Sequence, residues 1–187
     1  MRDDSVEFAP RAMLRTLIDA DVRFVLIGGQ AATVQGSTTI SLDLDIVYAR
    51  DHENLERLAR VLRTVNATLR GVKDRVPFRL DARTLHAGLN FTFTTRYGPF
   101  DCLGEAGDFD YDRLRGNANV YEIAGVPVPV AALDDLIAMK RQAGRRKDLI
   151  EVENLSALRD ELRKQSRTRT TAQTERRRTP PGDRNPR

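Results

Sequence analysis

The sequence predicts an α/β (α+β) protein: a small mixed β-sheet flanked by helices, with a C-terminal helical pair. Strand-like runs bounded by turn residues recur before residue 130, and helical periodicity dominates from about Ala131 to Lys164. With 187 residues, 40% of them hydrophobic, the chain has room for one domain with a proper core and an appendage. We therefore expect one sheet with its helices packed around it.

Helix and strand patterns alternate in the first half of the chain. Pro10 suits the first turn of a helix with an apolar inner face. "RFVLI" predicts a first strand that stops at Gly28-Gly29, "QAATVQ" predicts a short helix, and "TISLDLDIVY" predicts a second strand. Asp51 is expected to cap the following helix, "HENLERLARVLRTV", whose leucines repeat at helical spacing.

Two hairpins and two helices are predicted in the second half. "LNFTFTT" and "FDCLG" flank the turn "RYGP" and form the first hairpin. "NVYEIAG" and "VPVPV" form the second, and the prolines of the latter favour the edge of the sheet. The C-terminal helical region is expected to break near Gly144, which produces the helical pair.

Composition excludes several classes of protein. The apolar runs are too short or too interrupted by charge to cross a bilayer, and the start, "MRDDSVEFAPRAML", lacks the apolar segment of a secretory signal. A single cysteine, Cys102, excludes an internal disulfide framework and a zinc site built from cysteines. We expect a cytoplasmic protein without membrane association.

Positive charge is concentrated at the C-terminus. Residues 164–187 carry eight Lys/Arg against two acids, whereas the whole chain has a net charge of +4, so residues 1–163 are slightly acidic. The segment has no hydrophobic period and little to bury, which predicts a folded domain at 1–163 and a disordered basic tail at 164–187. The tail is either a loose arm that binds phosphates or a solvated segment without a function.

Two aspartates lie inside the second strand-like run, where apolar residues are expected. Side chains two residues apart in a strand point the same way, so Asp43 and Asp45 should share one face, and Leu42, Leu44 and Ile46 the other. Two carboxylates this close repel each other unless a cation lies between them. The alternative is a solvated strand face on which the aspartates have no specific ligand.

A third carboxylate would complete a cation site. Asp101, in "YGPFDCLGE", is the best candidate because it follows the turn of the first hairpin and lies on a strand that can neighbour the aspartate pair. Three carboxylates suit a hard, oxygen-loving ion such as Mg²⁺. An unliganded surface position for Asp101 remains the alternative.

The pair Gly28-Gly29 joins a buried strand to a short helix. Glycines end strands wherever a turn needs a positive φ, but at this place they also let backbone N–H groups approach a phosphate. A phosphate cradle followed by paired carboxylates on the next strand favours phosphoryl-transfer chemistry with a bound metal.

These motifs resemble those of the nucleotidyltransferase superfamily, in which an apolar residue and Gly-Gly precede an acidic–apolar–acidic triplet. Here thirteen residues separate Gly29 from Asp43-Leu44-Asp45. More narrowly, residues 10–160 are similar to the AbiEii/MenT-like toxin group of that superfamily. The matching residues are Gly36, Ser41, Lys140 and the pair Lys147-Asp148, and the departure is Thr39, where that group commonly has arginine.

The resemblance implies a role for each candidate residue. Asp43, Asp45 and Asp101 would bind Mg²⁺, two ions in all, with Asp101 a ligand or a base. Gly28 and Gly29 would hold the phosphates of a nucleoside triphosphate, and Ser41 would also lie in the nucleotide site. Lys140 would neutralise the leaving pyrophosphate, and Asp148 would orient Lys140 or contact the acceptor.

The residues themselves support part of this assignment. Lys140 continues the apolar stripe of the first C-terminal helix, and Asp148 lies on the apolar stripe of the second. Charged groups at inward-facing positions are costly unless they are paired or used. A purely structural Lys140–Asp148 ion pair is the alternative.

The acceptor implied by the resemblance is the 3′ end of tRNA. Such a protein would be the toxin of a toxin–antitoxin pair, with a cognate antitoxin as its protein partner. Two alternatives stay open: transfer to a protein or to a small molecule such as an aminoglycoside, and a non-catalytic binding protein that has kept the fold.

Overall fold

The computed structural model describes residues 7–72 and 78–178. These residues form a mixed β-sheet with helices packed around it, which confirms the predicted α/β class. Large apolar side chains fill the space between the sheet and the helices; the largest fully buried ones include Phe24, Tyr48, Phe93 and Phe100. Burial of such side chains is the main favourable term for a domain of this size.

Seven helices lie in the described residues; two of them, the fourth and the fifth, were not predicted, and the last is longer than predicted. Pro10 opens the first helix, as expected from its preference for the first turn. In chain order the helices are α1 Pro10–Asp19, α2 Gly28–Val34, α3 His52–Thr64, α4 Ala82–Ala87, α5 Tyr111–Asn117, α6 Leu133–Ala143 and α7 Arg146–Arg178.

Seven of the strands form one sheet, and two short ones form a separate ribbon. In chain order the strands are β1 Phe24–Ile27, β2 Leu44–Tyr48, β3 Thr68–Leu69, β4 Asn90–Thr95, β5 Gly98–Leu103, β6 Glu105–Ala106, β7 Phe109–Asp110, β8 Asn119–Ile123 and β9 Val126–Val130. The sheet order is β3-β4-β5-β2-β1-β9-β8, and the ribbon is β6-β7. The β2/β5 and β1/β9 pairs are parallel and the other pairs are antiparallel.

Both predicted hairpins are present. β4 and β5 pair in register from Asn90 opposite Leu103 to Thr95 opposite Gly98. The β8–β9 hairpin lies at one end of the sheet, but its edge strand is β8 and not the strand with the prolines. The proline-bearing strand β9 itself lies one position inward, beside β1.

Helix limits follow from local chemistry. The Asp51 side chain accepts a hydrogen bond of 3.2 Å from the Asn54 backbone N–H, which satisfies one of the free N–H groups at the start of α3. Gly144 adopts φ +64° and ends α6, so the chain turns directly into α7. The predicted break in the C-terminal helical pair is therefore confirmed.

The second strand is shorter than predicted, because β2 begins at Leu44 and not at Thr39. The preceding backbone is bonded to α2 instead of to a strand: Thr33 Oγ1 donates to the Thr39 carbonyl at 3.1 Å. Gln30 Nε2 donates in the same way to the Ser41 carbonyl at 2.9 Å. Leu42 does not share a face with Leu44 and Ile46 as predicted, since Leu42 is 70% exposed whereas the other two are buried.

The C-terminal segment also differs from the prediction. Helix α7 has 33 residues and continues to Arg178, beyond Lys164, where the helical region was predicted to end. A helix of this length extends for roughly 50 Å. Residues 179–187 lie outside the described residues. Within the described ranges, no helix is both long enough and apolar enough to span a bilayer.

Candidate active site

The centre of the site is a row of residues across two parallel strands. Asp45 of β2 lies opposite Asp101 of β5 in the strand register. The neighbouring residues in these strands, among them Leu44, Ile46 and Cys102, are buried on the other side of the sheet. The alternation of side chains therefore places both carboxylates on the same face.

Asp43 reaches the same place from the loop before β2. Ser41 Oγ donates a hydrogen bond of 2.7 Å to Asp43 Oδ1 and so fixes the direction of that side chain. One oxygen of each carboxylate of Asp43, Asp45 and Asp101 lies within 4.8 Å of the other two. The three acids predicted from the sequence therefore come together, although Asp43 is not in a strand.

Electrostatics at Asp45 are unfavourable without a cation. Burial, followed by repulsion from Asp43 and Asp101, raises the pKa of Asp45 to about 7. Burial also raises the pKa of Asp101, where the nearby Arg70 guanidinium opposes the effect. A cation among these carboxylates would therefore strongly stabilise their ionised forms.

The two glycines are required by the close approach of the acidic segment. Gly28 has φ +67°, and a Cβ at this position would overlap the Asp45 carboxylate. A Cβ at Gly29 would lie 2.5 Å from the Ser41 Cβ. Any side chain at either position would displace a residue of the site.

The third carboxylate has a cationic neighbour that the sequence did not reveal. Arg70 Nη2 lies 2.7 Å from Asp101 Oδ1 and 2.9 Å from Oδ2. Arg70 directly follows β3 and is 31 residues from Asp101 along the chain. No local pattern indicated the pair, because it depends on the order of the strands.

Lys140 lies at the end of α6 and is shared by two acids of α7. Its Nζ is 3.5 Å from Asp148 Oδ1 and forms a shorter ion pair with Glu151. Asp148 is fully buried and also accepts a bond of 2.7 Å from Arg145 Nε. Burial alone would raise the pKa of Asp148, but Arg145 and Lys140 outweigh it and lower the pKa.

A pocket of about 770 Å³ opens over these groups. The three carboxylates, the two glycines and Lys140 line it, together with apolar side chains such as Leu136 and Met139 of α6. The lining includes Gly28, Gly29, Thr39, Ile40, Ser41, Leu42, Asp43, Asp45, Asp101, Leu136, Met139, Lys140, Arg145 and Glu151.

All but one of the predicted site residues therefore border the same cavity. The exception is Asp148, whose buried side chain lies behind Lys140. Of the two roles predicted for it, orientation of Lys140 is compatible with this position, and contact with an acceptor is not. Glu151 was missed, although it lies three residues after Asp148 on one helix face, a spacing that could have identified it.

Comparisons with known proteins rest on structure alone. No protein-family model matches the chain, and no curated protein sequence is similar enough to count as a relative.

Two solved structures share the architecture. One is the lincosamide antibiotic adenylyltransferase LnuA with lincomycin bound, at a TM-score of 0.53 and 12% identity, covering 79% of this chain and 94% of that one. The other is a Thermotoga maritima protein assigned as a nucleotidyltransferase, at a TM-score of 0.50 and 18% identity, covering 82% and 90%. At such identities the likeness concerns the fold. The chain has the nucleotidyltransferase fold.

Proposed function

We propose that this protein is a Mg²⁺-dependent nucleotidyltransferase, which moves a nucleoside monophosphate from a nucleoside triphosphate to an acceptor hydroxyl and releases pyrophosphate. One observation carries the proposal: the carboxylates of Asp43, Asp45 and Asp101 lie within 4.8 Å of one another in a pocket that Lys140 also lines. The fold supports it, because LnuA, an adenylyltransferase, has the same architecture.

The residues present fit a divalent cation. The donor set consists of three carboxylates, the hard oxygen ligands that Mg²⁺ prefers, and the pKa of Asp45 is raised by burial and by its acidic neighbours. Asp43, Asp45 and Asp101 would hold two ions in the working complex. Bound Mg²⁺ supplies charge neutralisation to the triphosphate and lowers the pKa of the attacking hydroxyl.

The chain's own residues then have separate tasks. Gly28 and Gly29 lack side chains, which lets Asp45 and Ser41 lie against the start of α2. Both glycines also line the pocket, where their backbone would hold the phosphates. Lys140 is placed to neutralise charge on the leaving pyrophosphate, and Asp148 holds Lys140 from behind. Asp101 either binds a cation or accepts the proton of the acceptor hydroxyl.

For the acceptor we propose the 3′ end of tRNA. Support comes from the sequence motif, in which Ser41, the paired aspartates, Lys140 and Asp148 match the AbiEii/MenT-like toxin group. The basic residues of α7 and of the segment after it add charge suited to a nucleic-acid backbone. In this proposal the protein blocks translation as the toxin of a toxin–antitoxin pair in the cytoplasm, and a cognate antitoxin neutralises it.

A second candidate acceptor is a small molecule. LnuA acts on a lincosamide antibiotic, and its fold is shared over 94% of its length. The pocket offers apolar side chains, among them Leu136 and Met139, next to the carboxylates, which suits a compact organic acceptor as well as a nucleotide end.

One labelling experiment separates these candidates. The protein is incubated with each α-³²P nucleoside triphosphate and Mg²⁺, in turn with total tRNA, with lincomycin, with an aminoglycoside and with mixed protein. Label on tRNA is the expected result. Label on an antibiotic or on protein would identify a different acceptor for the same nucleotidyl-transfer reaction. Absence of label on every acceptor and on the protein itself would contradict the proposed activity and favour a binding protein.

The toxin role has its own test. Induced expression of the wild type in bacteria is expected to arrest growth and to lower incorporation of labelled amino acids, whereas Asp45→Asn at an equal protein level leaves both unchanged. A neighbouring gene product that restores growth and co-purifies with the wild type would be the antitoxin. Unimpaired growth with active enzyme present would contradict the toxin role alone.

A further inference from the structure

Arg70 is the one cation in direct contact with the three-carboxylate cluster among the ion pairs of the described residues. Its guanidinium contacts both oxygens of Asp101, at 2.7 and 2.9 Å. The Asp101 side chain is only 16% exposed and that of Arg70 is 35% exposed, so the pair lies partly out of water. Lys140, in contrast, is engaged by Asp148 and Glu151, which are outside the cluster.

The sheet places this arginine. The Arg70 backbone N–H donates to the Thr92 carbonyl at 2.9 Å, which continues the β3–β4 ladder by one residue. Thr92 lies opposite Asp101, and Asp101 lies opposite Asp45. Arg70, Thr92, Asp101 and Asp45 therefore form one row across four chain segments, and the arginine reaches over the short threonine side chain to the carboxylate.

We propose that, in the nucleotide-free protein, Arg70 takes the place of one of the two divalent cations by pairing with Asp101. The chain then binds a single cation on Asp43 and Asp45, and the second binds only when Arg70 withdraws. This inference rests on the proposed function, because it concerns the same carboxylates.

Charge and geometry make Arg70 a competitor of a divalent cation at Asp101. An arginine side chain does not lose its proton in a protein, so it leaves Asp101 only by moving. A guanidinium within hydrogen-bond distance of a carboxylate occupies lone pairs that a cation would need, and it repels a divalent ion at close range. Because about a third of the Arg70 side chain is exposed, the guanidinium can move away from Asp101 toward the solvent.

The test is the binding of Mn²⁺, used in place of Mg²⁺ because the free ion gives an electron paramagnetic resonance signal. The full chain without nucleotide is titrated as the wild type, Arg70→Ala and Arg70→Gln. Arg60→Ala is the matched control, because it removes one positive charge from an exposed position outside the pocket lining. Arg70→Gln keeps a hydrogen-bond donor for Asp101 without the charge, and it carries the test if Arg70→Ala does not fold.

We expect one Mn²⁺ per chain in the wild type and in Arg60→Ala. Both Arg70 variants should bind a second ion with an affinity at least about tenfold higher than that of the wild type. Over the same range of Mn²⁺ concentration they should therefore bind two ions per chain. Equal stoichiometry and affinity in the wild type and the Arg70 variants would overturn the inference while leaving the proposed function intact. Absence of Mn²⁺ binding in every protein would overturn both.

Discussion

Asp45 and Asp101 lie opposite each other in adjacent parallel strands, and burial raises the pKa of both carboxyl groups. A strand pair with two acids at one register position is destabilised unless a cation compensates the charge. Arg70 compensates it at Asp101, but no side chain forms an ion pair with Asp45 among the described residues. Asp45 is therefore the residue whose charge dominates the behaviour of the site.

The first prediction concerns the pH dependence of stability without metal. The pKa of Asp45 is about 7 in the folded chain and near 4 when unfolded, so between these values the folded state binds the extra proton. The free energy of unfolding should consequently fall as pH rises from about 4 to about 7. The loss relative to Asp45→Asn is expected to reach as much as ~4 kcal/mol.

Urea denaturation of the two proteins in chelator, near pH 5 and near pH 8, measures this difference. The stability of Asp45→Asn relative to the wild type should increase between these two pH values by about 2 to 3 kcal/mol. Addition of Mg²⁺ near pH 8 should stabilise the wild type more than the variant. A difference that does not change with pH would contradict the raised pKa.

The second prediction distinguishes two effects of a side chain at Gly28: backbone strain at a positive φ, and steric overlap with the Asp45 carboxylate. Gly28→Ala should lower the free energy of unfolding and abolish nucleotidyl transfer, because the new Cβ overlaps the Asp45 carboxylate at a positive φ. Gly71→Ala is the matched control: φ is +79° there, and an added Cβ has no neighbour within 4 Å. The control should cost about 1 kcal/mol and retain activity.

Thermal unfolding and labelled transfer are measured for both glycine variants. Retention of activity by Gly28→Ala would mean that the close approach of Asp45 to the glycine pair is not needed for function. Equal loss of activity in Gly71→Ala would show that strain alone explains the effect.

Much of the site could be predicted because its signals are local. The glycine pair, the alternating aspartates and the hairpin turn before Asp101 are each visible within a few residues, and strand pairing then brings them together. The exact start of β2 was not predictable in this way. Thr33 and Gln30 bind the backbone of residues 39 and 41 from a different element, so propensity for a strand did not decide the outcome.

Arg70 and the length of α7 were missed for different reasons. The Arg70–Asp101 pair depends on β3 joining the sheet next to β4, and a two-residue strand leaves almost no pattern in a sequence. In α7 the residues after Lys164 lack a hydrophobic period, so no apolar stripe indicated that the helix continues.

The third prediction concerns the hydroxyl that directs Asp43. Ser41→Ala removes the 2.7 Å hydrogen bond to Asp43 Oδ1, so the carboxylate loses its fixed orientation and Mn²⁺ affinity should fall about tenfold. Ser37→Ala is the control, because Ser37 bonds Thr39 and does not line the pocket. Titration with Mn²⁺ measures both, and equal affinities in the two variants would contradict a role for Ser41 at the metal site.

The fourth prediction concerns the lysine between α6 and α7. Lys140→Ala should lower kcat/KM for the nucleoside triphosphate about a hundredfold, because the charge on the leaving pyrophosphate is no longer neutralised. Asp148 keeps its Arg145 partner in this variant, so the fold should persist. Arg141→Ala removes the neighbouring exposed charge and should have little effect; a comparable loss there would point to general electrostatic attraction instead.

The half-buried cluster of Asp43, Asp45 and Asp101 is proposed to perform nucleotidyl transfer. The most direct measurement compares transfer of α-³²P label from nucleoside triphosphates to tRNA by the wild type, Asp45→Asn and Asp112→Asn, the last a change at an exposed aspartate of α5. We predict label with the wild type and Asp112→Asn, and a loss of at least about a hundredfold with Asp45→Asn. Undiminished transfer by a folded Asp45→Asn protein would contradict a catalytic role of the carboxylate cluster.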